Sequence, residues 1–419
     1  MQKFIITGGS RLNGEIELQG CKNSALPIMA ATVLVSGKCV LEGCPNLTDV
    51  YSAARILNSL GAKCRIIGNR VEIDSTVVGD SRISCELMRE MRSSIMFMGA
   101  ILGRMGECTF SIPGGCELGP RPIDMHLAAL SKMGAEISDS GGETICRMPR
   151  GRGHGSKISL SFPSVGATEN VILCAVLAEG ETVINNAARE PEICDMCRFL
   201  RSCGAKISGD GESRIVIKGV EKLHGTEYTI MPDRIAGATY LAMTAAAGGA
   251  IILKNACISE MEPFISVLEQ TGCFICAADN RIYLRRGGRL KAVRDRIRTM
   301  PHPGFPTDAQ AVLMAALATA DGTSVFEENI FDCRYRHTDA LIKMGADIQV
   351  MGKAAVIRGV KRLHGADVEA TDLRGGAAMA VAALGAEGVT SIGCISHIDR
   401  GYEKFEDIIS SLGGKISRE

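Results

Sequence analysis

The chain has 419 residues, 46% of them hydrophobic and 22% charged, which is material for more than one core. Its 47 basic and 47 acidic side chains cancel and Trp is absent, which argues against a general nucleic-acid or polyanion binder. No segment has the long uninterrupted apolar run of a membrane span.

In chain order, MQKFIITGGSRLNGEIEL alternates as strands do and lacks a signal peptide's apolar run, so the expected location is cytoplasmic. The 17 cysteines read as reduced core thiols, not as a disulfide framework. SALPIMAATVLV follows as an all-round apolar helix, and SLGAKCRII as a helix end, a Gly turn and a strand. RSSIMFMGAIL is the next apolar helix, ECTFSIPGG a strand running into a loop, and IDMHLAALSKMG a second helix with Ile123, Leu127 and Leu130 on one face. AEISDSGGETICRM is a hairpin. The apolar helix returns as ATENVILCAVLA, RIAGATYLAMTAAA, TDAQAVLMAALAT and LRGGAAMAVAALG, and the Gly turn as SCGAKI, QTGCFI, KMGADIQV and SLGGKIS. The turn glycines Gly61, Gly134, Gly204, Gly272, Gly345 and Gly413 stand 73, 70, 68, 73 and 68 residues apart. This is a sixfold repeat of one strand–helix–strand–helix–strand–strand unit. Its first helices should be buried inside, with the sheets outside.

Only six residues follow Gly413, while 21 precede Lys22, and together they nearly make up the missing connection. The N-terminal strands are therefore expected to complete the sixth unit. This gives one three-repeat domain over 21–229 and another over 1–20 with 230–419, joined by two crossings that suggest a hinge over a cleft.

At or near the starts of the first helices stand Lys22, Arg92, Ser164, Arg234, Asp308 and Arg374, at intervals of 66 to 74 residues. A helix start favours anions, so four cations in equivalent places point to a polyanionic ligand; each alone could equally be a snorkelling or paired side chain. Arg121, Arg334, Arg336 and Arg400 mark second-helix starts and suit bidentate grip on phosphate or carboxylate. IPGGCELGPRPID, rich in Gly and Pro, has the composition of a lid. It carries Cys116 five residues from Arg121, where a cation would favour the thiolate. PHPGFPTDAQA delivers Asp308 to a helix start, as an N-cap or as a general base, with His302 as the other candidate base. No metal-ligand spacing and no P-loop or dinucleotide fingerprint is present, so no cofactor and no metal is expected.

GCKNSALPI, MRSSI, IPGGCELGPRPIDMH, FPSVGATEN, NAAREPEI, PHPGFPTD, TDLRGGAA and HIDRGYE together resemble the UDP-N-acetylglucosamine 1-carboxyvinyltransferase family of enolpyruvyl transferases, within the EPSP synthase-like superfamily. The resemblance runs from about Lys3 to Gly414, with the PGGC loop and HIDRGYE the most specific segments. It implies an α/β fold of two inside-out, barrel-like domains, each of three βαβαββ repeats. It implies transfer of the enolpyruvyl group of phosphoenolpyruvate to the 3′-hydroxyl of UDP-N-acetylglucosamine with release of phosphate, the first committed step of peptidoglycan synthesis. By the same resemblance, Lys22 and Asn23 contact phosphoenolpyruvate, with Arg121 and Arg400 gripping its phosphate and carboxylate. Arg92, the stretch Arg121, Pro122, Ile123, Asp124 and Met125, the turn Ser164, Val165 and Gly166, and Ile330 hold the UDP-sugar. Asp308 accepts the hydroxyl proton. Cys116 is the general acid, a site of covalent pyruvate adduct formation and the target of fosfomycin. Arg334 and Arg374 have supporting or closure roles. The implied partners are these two small molecules, with no nucleic acid, membrane or obligate protein partner.

The chain departs from the family's usual PDRIEAGT and ENRF with PDRIAGAT and Asp332-Cys333-Arg334-Tyr335, for which altered local packing is the expectation. Two other readings remain at this stage: 3-phosphoshikimate 1-carboxyvinyltransferase, which shares the fold, and a non-catalytic repeat scaffold. Against the scaffold, the unusual loops are confined to particular units.

Overall fold

The computed structural model of the protein describes residues 2–111 and 122–419. Among these residues six four-stranded sheets, all with one strand order, carry the repeat. In the third repeat Lys157–Ser159 lies parallel to Glu181–Asn185, which is antiparallel to Arg214–Lys218, itself antiparallel to Lys206–Ser208. The first strand reaches its parallel partner through the buried helix Val165–Ala175, because a parallel pair needs a long crossover. The second helix, Pro191–Ser202, leads into the hairpin.

The chain divides into two compact units, with boundaries after Gln19 and between Met231 and Pro232. The unit within 20–231 has one hydrophobic core and three sheets, and Glu227–Thr229 returns to lie parallel to Lys38–Glu42 of its first repeat. The other unit has its own core and is completed by the N-terminal strands. Leu12–Glu17 pairs in parallel with Gly249–Lys254. Phe4–Thr7 lies between Val389–Gly393 and Lys415–Arg418, antiparallel to both, and takes the place that the second hairpin strand takes in the other sheets.

The first helices are buried on all sides, as their composition requires: every residue from Arg234 to Ala246 of the helix Arg234–Ala247 is buried. Small side chains let them approach closely. A Cβ on Gly99, in the helix Met96–Met105, would stand 2.3 Å from the carbonyl oxygen of Asn170 in the neighbouring helix Val165–Ala175. The six turn glycines share one conformation, with φ between 89° and 100°. That backbone region is open to glycine and closed to most other residues, which explains why the repeat is legible as a glycine period.

Three local expectations need correction. Arg92 opens a short 3₁₀ turn, Arg92–Ile95, that leads into the α-helix Met96–Met105. Asp308 is the second residue of the helix Thr307–Leu317, and its carboxylate binds side chains instead of capping. Arg400 ends the short helix Ser396–Asp399 instead of starting one.

Candidate active site

In the 20–231 unit two of the expected sugar-nucleotide segments, Pro122–Met125 and Ser164–Gly166, come together, while Ile330 lies in the other unit. The helix Asp124–Lys132 starts beside the helix Val165–Ala175, whose N-cap is Ser164, its hydroxyl accepting from the Ala167 N–H at 3.3 Å. Ser161 Oγ meets Met125 Sδ at 3.5 Å. Gly166 leaves room for the His126 ring, whose Cε1 would be 2.9 Å from a Cβ at that position. Pro122 and Asp124 are exposed, and Ile123 and Met125 half-buried.

His126, itself buried, is the hub of this corner. Asn170 Oδ1 accepts from the Gly99 N–H at 2.7 Å, which fixes the amide so that Nδ2 is the donor. Nδ2 then donates to Gly166 O at 3.2 Å and to His126 Nδ1 at 3.0 Å, so the ring is neutral with its proton on Nε2. Burial, then the charge of Arg92, push the imidazole pKa down to about 4 against the opposing pull of Asp124. Arg92 therefore lies in electrostatic reach of this same corner.

Lys22 opens the buried helix Lys22–Ala31, and its Nζ lies 2.8 Å from Asp49 Oδ2. Asp49 sits in the first turn of the helix Thr48–Ser59 and is 2% exposed. Asn23 is exposed beside it. Cys116 and Arg121, with the rest of the expected lid up to Arg121, lie outside the described residues.

In the other unit, Asp308 is clamped between two guanidiniums. Arg334 Nη2 donates to Asp308 Oδ1 at 2.9 Å and Arg374 Nη2 to Oδ2 at 3.1 Å. Arg334 is anchored further by Nε and Nη2 bonds to the Thr307 carbonyl. The side chains of Arg334 and Arg374 are 2% and 5% exposed, whereas that of Asp308 is 28% exposed. The carboxylate is thus the member of the trio that faces out, backed by buried cations. Arg374 stays charged because Tyr402, Asp308 and Asp233 outweigh the burial that opposes its charge. Ile330 joins this group through Glu328, whose Oε1 accepts from the Ile330 N–H and from the Thr307 hydroxyl. Arg400 is half-buried, two residues before Tyr402.

Sequence reasoning left several supporting residues unassigned. Asp49 gave no signal of its own, since an acid in a first helical turn is ordinary. Asp233 and Asp372 cap the helices that carry Arg234 and Arg374, each accepting two backbone N–H bonds. The shared Asp-before-Arg in PDRI and TDLR was the available clue. The cations at helix starts are therefore already offset by carboxylates of the chain at Lys22 and Arg374. The departure in PDRIAGAT is a packing feature: a Cβ on Gly237 would lie 2.9 Å from Met261 Cε and 3.2 Å from Leu18 Cδ1. Cys333, in the second departure, is exposed.

Six such sheets packed on buried helices, three in each unit, form an enolpyruvyl transferase fold, as the solved structures of this shape show. The enolpyruvyl transferase NikO from Streptomyces tendae superposes with a TM-score of 0.89 at 22% identity, covering 100% of this chain and 98% of that one. EPSP synthase from Acinetobacter baumannii superposes with a TM-score of 0.79 at 19% identity over 100% of both chains. The family model for EPSP synthase (3-phosphoshikimate 1-carboxyvinyltransferase) matches residues 6–409, and the chain belongs to that family. Within it, the chain is 50% identical over 418 residues to UDP-N-acetylglucosamine 1-carboxyvinyltransferase 2 of Caldanaerobacter subterraneus subsp. tengcongensis, covering 100% of each. It is 44% identical over 420 residues to the protein of the same name from Carboxydothermus hydrogenoformans, covering 100% of this chain and 99% of that one.

Proposed function

We propose that this chain transfers the enolpyruvyl group of phosphoenolpyruvate to the 3′-hydroxyl of UDP-N-acetylglucosamine and releases phosphate. The observation that carries the reading is the half-identical, full-length relative of that name, whose likeness extends over both units of this chain. The shikimate alternative is disfavoured, because the relatives at 44% to 50% identity bear the UDP-sugar name.

In this reading the corner of Arg92, Ile123–Met125 and Ser164–Gly166 holds the UDP-sugar, with the start of the helix Val165–Ala175 offered to its diphosphate. Lys22, Asn23, Arg121 and Arg400 hold phosphoenolpyruvate. Cys116 delivers a proton to the methylene carbon, which leaves an oxocarbenium-like centre at the carbon bearing the phosphate. Asp308 takes the proton of the sugar hydroxyl as its oxygen adds to that centre. The Cys116 thiolate then takes back a methyl proton as phosphate leaves the ketal with the proton held by Asp308, which gives the enol ether of the product. Guanidiniums set beforehand around the reacting anion stabilise the charge without reorganising. A cytoplasmic place in cell-wall synthesis follows from the substrates.

Phosphate release from phosphoenolpyruvate in the presence of UDP-N-acetylglucosamine, and not of shikimate 3-phosphate, is the expected result. The reverse preference refutes the substrate assignment. Cys116→Ser should abolish covalent labelling by fosfomycin; labelling that persists refutes the role given to the thiol.

A further inference from the structure

Among the described residues, Arg374 has few holds for a buried guanidinium. Its Nη2 binds Asp308, its Nη1 meets the phenol oxygen of Tyr402 at 3.2 Å, and its Nε is buried with no hydrogen-bond partner among them. The guanidinium carbon also stands over the Tyr402 ring, 5.6 Å from its centre. Tyr402 is 2% exposed, and its ring is packed at 5.1 Å against that of Phe405.

Counting hydrogens fixes the direction of the bonds that follow. Thr239 Oγ1 lies 3.0 Å from the Ile235 carbonyl oxygen, which can only accept, so the threonine hydrogen is spent there. Thr239 Oγ1 also lies 2.8 Å from Tyr402 Oη, so in that bond Tyr402 is the donor. The lone pairs of Oη are then left for Arg374 Nη1. A one-way chain results, from Arg374 to Tyr402 to Thr239 to the carbonyl in the first turn of the helix Arg234–Ala247. Every member is buried, where an unmade bond to a charged group is expensive.

We propose that Tyr402 is a positioning residue for the transfer reaction: backed by Thr239, its phenol oxygen fixes Arg374, and Arg374 in turn fixes the carboxylate of Asp308. This rests on the role given to Asp308 above. The phenylalanine variant keeps the ring, its packing on Phe405 and its face toward Arg374, and removes only the oxygen.

The test is phosphate release by the full chain with phosphoenolpyruvate and UDP-N-acetylglucosamine, comparing the parent, Tyr402→Phe, Thr239→Val, Arg374→Lys and the Arg374→Lys/Tyr402→Phe double variant. Tyr402→Phe should lower kcat roughly 10- to 100-fold, the scale of one hydrogen bond to a charged group. Its equilibrium affinity for UDP-N-acetylglucosamine should stay within about threefold of the parent. Thr239→Val, which leaves the Arg374–Tyr402 bond possible, should lose less. In the Arg374→Lys background, Tyr402→Phe should cost less than about threefold more, since the two act in series. A Tyr402→Phe enzyme with parental kcat, or one whose loss repeats in full on Arg374→Lys, overturns the positioning role. A parent that releases no phosphate refutes the functional reading and the proposal with it.

Discussion

Acidification should destabilise the 20–231 unit through His126. The ring is buried, and Asn170 presents its amide N–H to Nδ1 because Gly99 fixes the other end of that amide. Protonating Nδ1 would set two donors face to face. The folded pKa of about 4 lies below the ordinary histidine value of 6.5, so the folded state binds fewer protons in that window. The stability from keeping the ring neutral is complete above pH 6.5 and is lost as pH falls from 6.5 toward 4. At about 1.4 kcal/mol per pKa unit, the full loss is about 3 kcal/mol, of which about 2 kcal/mol is already gone at pH 5. The assay is the difference in unfolding free energy or midpoint between the parent and His126→Gln, followed from pH 7.5 to 5. His337, also held near pKa 4 by burial, is present in both proteins and cancels in the difference. The parent's advantage should shrink by about 2 kcal/mol over that range. Parallel pH curves for the two proteins would refute the assignment of a neutral, amide-locked His126.

Two further outcomes follow from the same geometry. Asp308→Asn should lower kcat by roughly 10²- to 10⁴-fold, the usual contribution of a general base, with UDP-N-acetylglucosamine affinity little changed; near-parental turnover would remove Asp308 from the chemistry. Gly99→Ala places a methyl 2.3 Å from the Asn170 carbonyl oxygen, which is backbone and cannot swing aside. It should destabilise by about 1–3 kcal/mol, read as a lowered urea or thermal midpoint, whereas an unchanged midpoint would mean the two helices part freely.

Much of the architecture was legible because the repeat writes its most demanding backbone position as glycine six times over. The buried helices were equally plain, since a helix apolar on every face has no solvent side. The candidate site was legible at its charged members and obscure at the side chains that hold them. Arg374 stood out by its repeat position, but Tyr402 reads in HIDRGYE as one more aromatic, and only folding brings its oxygen to the guanidinium. Asp308 was visible as an acid at a helix start. That it is clamped by Arg334 and Arg374, 26 and 66 residues further on, is a product of packing between repeats. The neutral state of His126 is set by the orientation of a single amide, and no residue pattern encodes that.

The place of Phe4–Thr7 between Val389–Gly393 and Lys415–Arg418 bears on how the protein is born. Synthesis runs toward the C-terminus, so this strand emerges long before its two neighbours in the sheet. Between them the ribosome makes every strand of the 20–231 unit. Phe4–Thr7 must therefore wait, unpaired and apolar at Phe4 and Ile6, until Val389 and the residues beyond it are made. The unit carrying Asp308, Arg334 and Arg374 is closed only when Phe4–Thr7 meets strands made long after it. Arresting translation after residue 231 should thus leave a nascent chain whose exposed liability is the unpaired segment Phe4–Thr7.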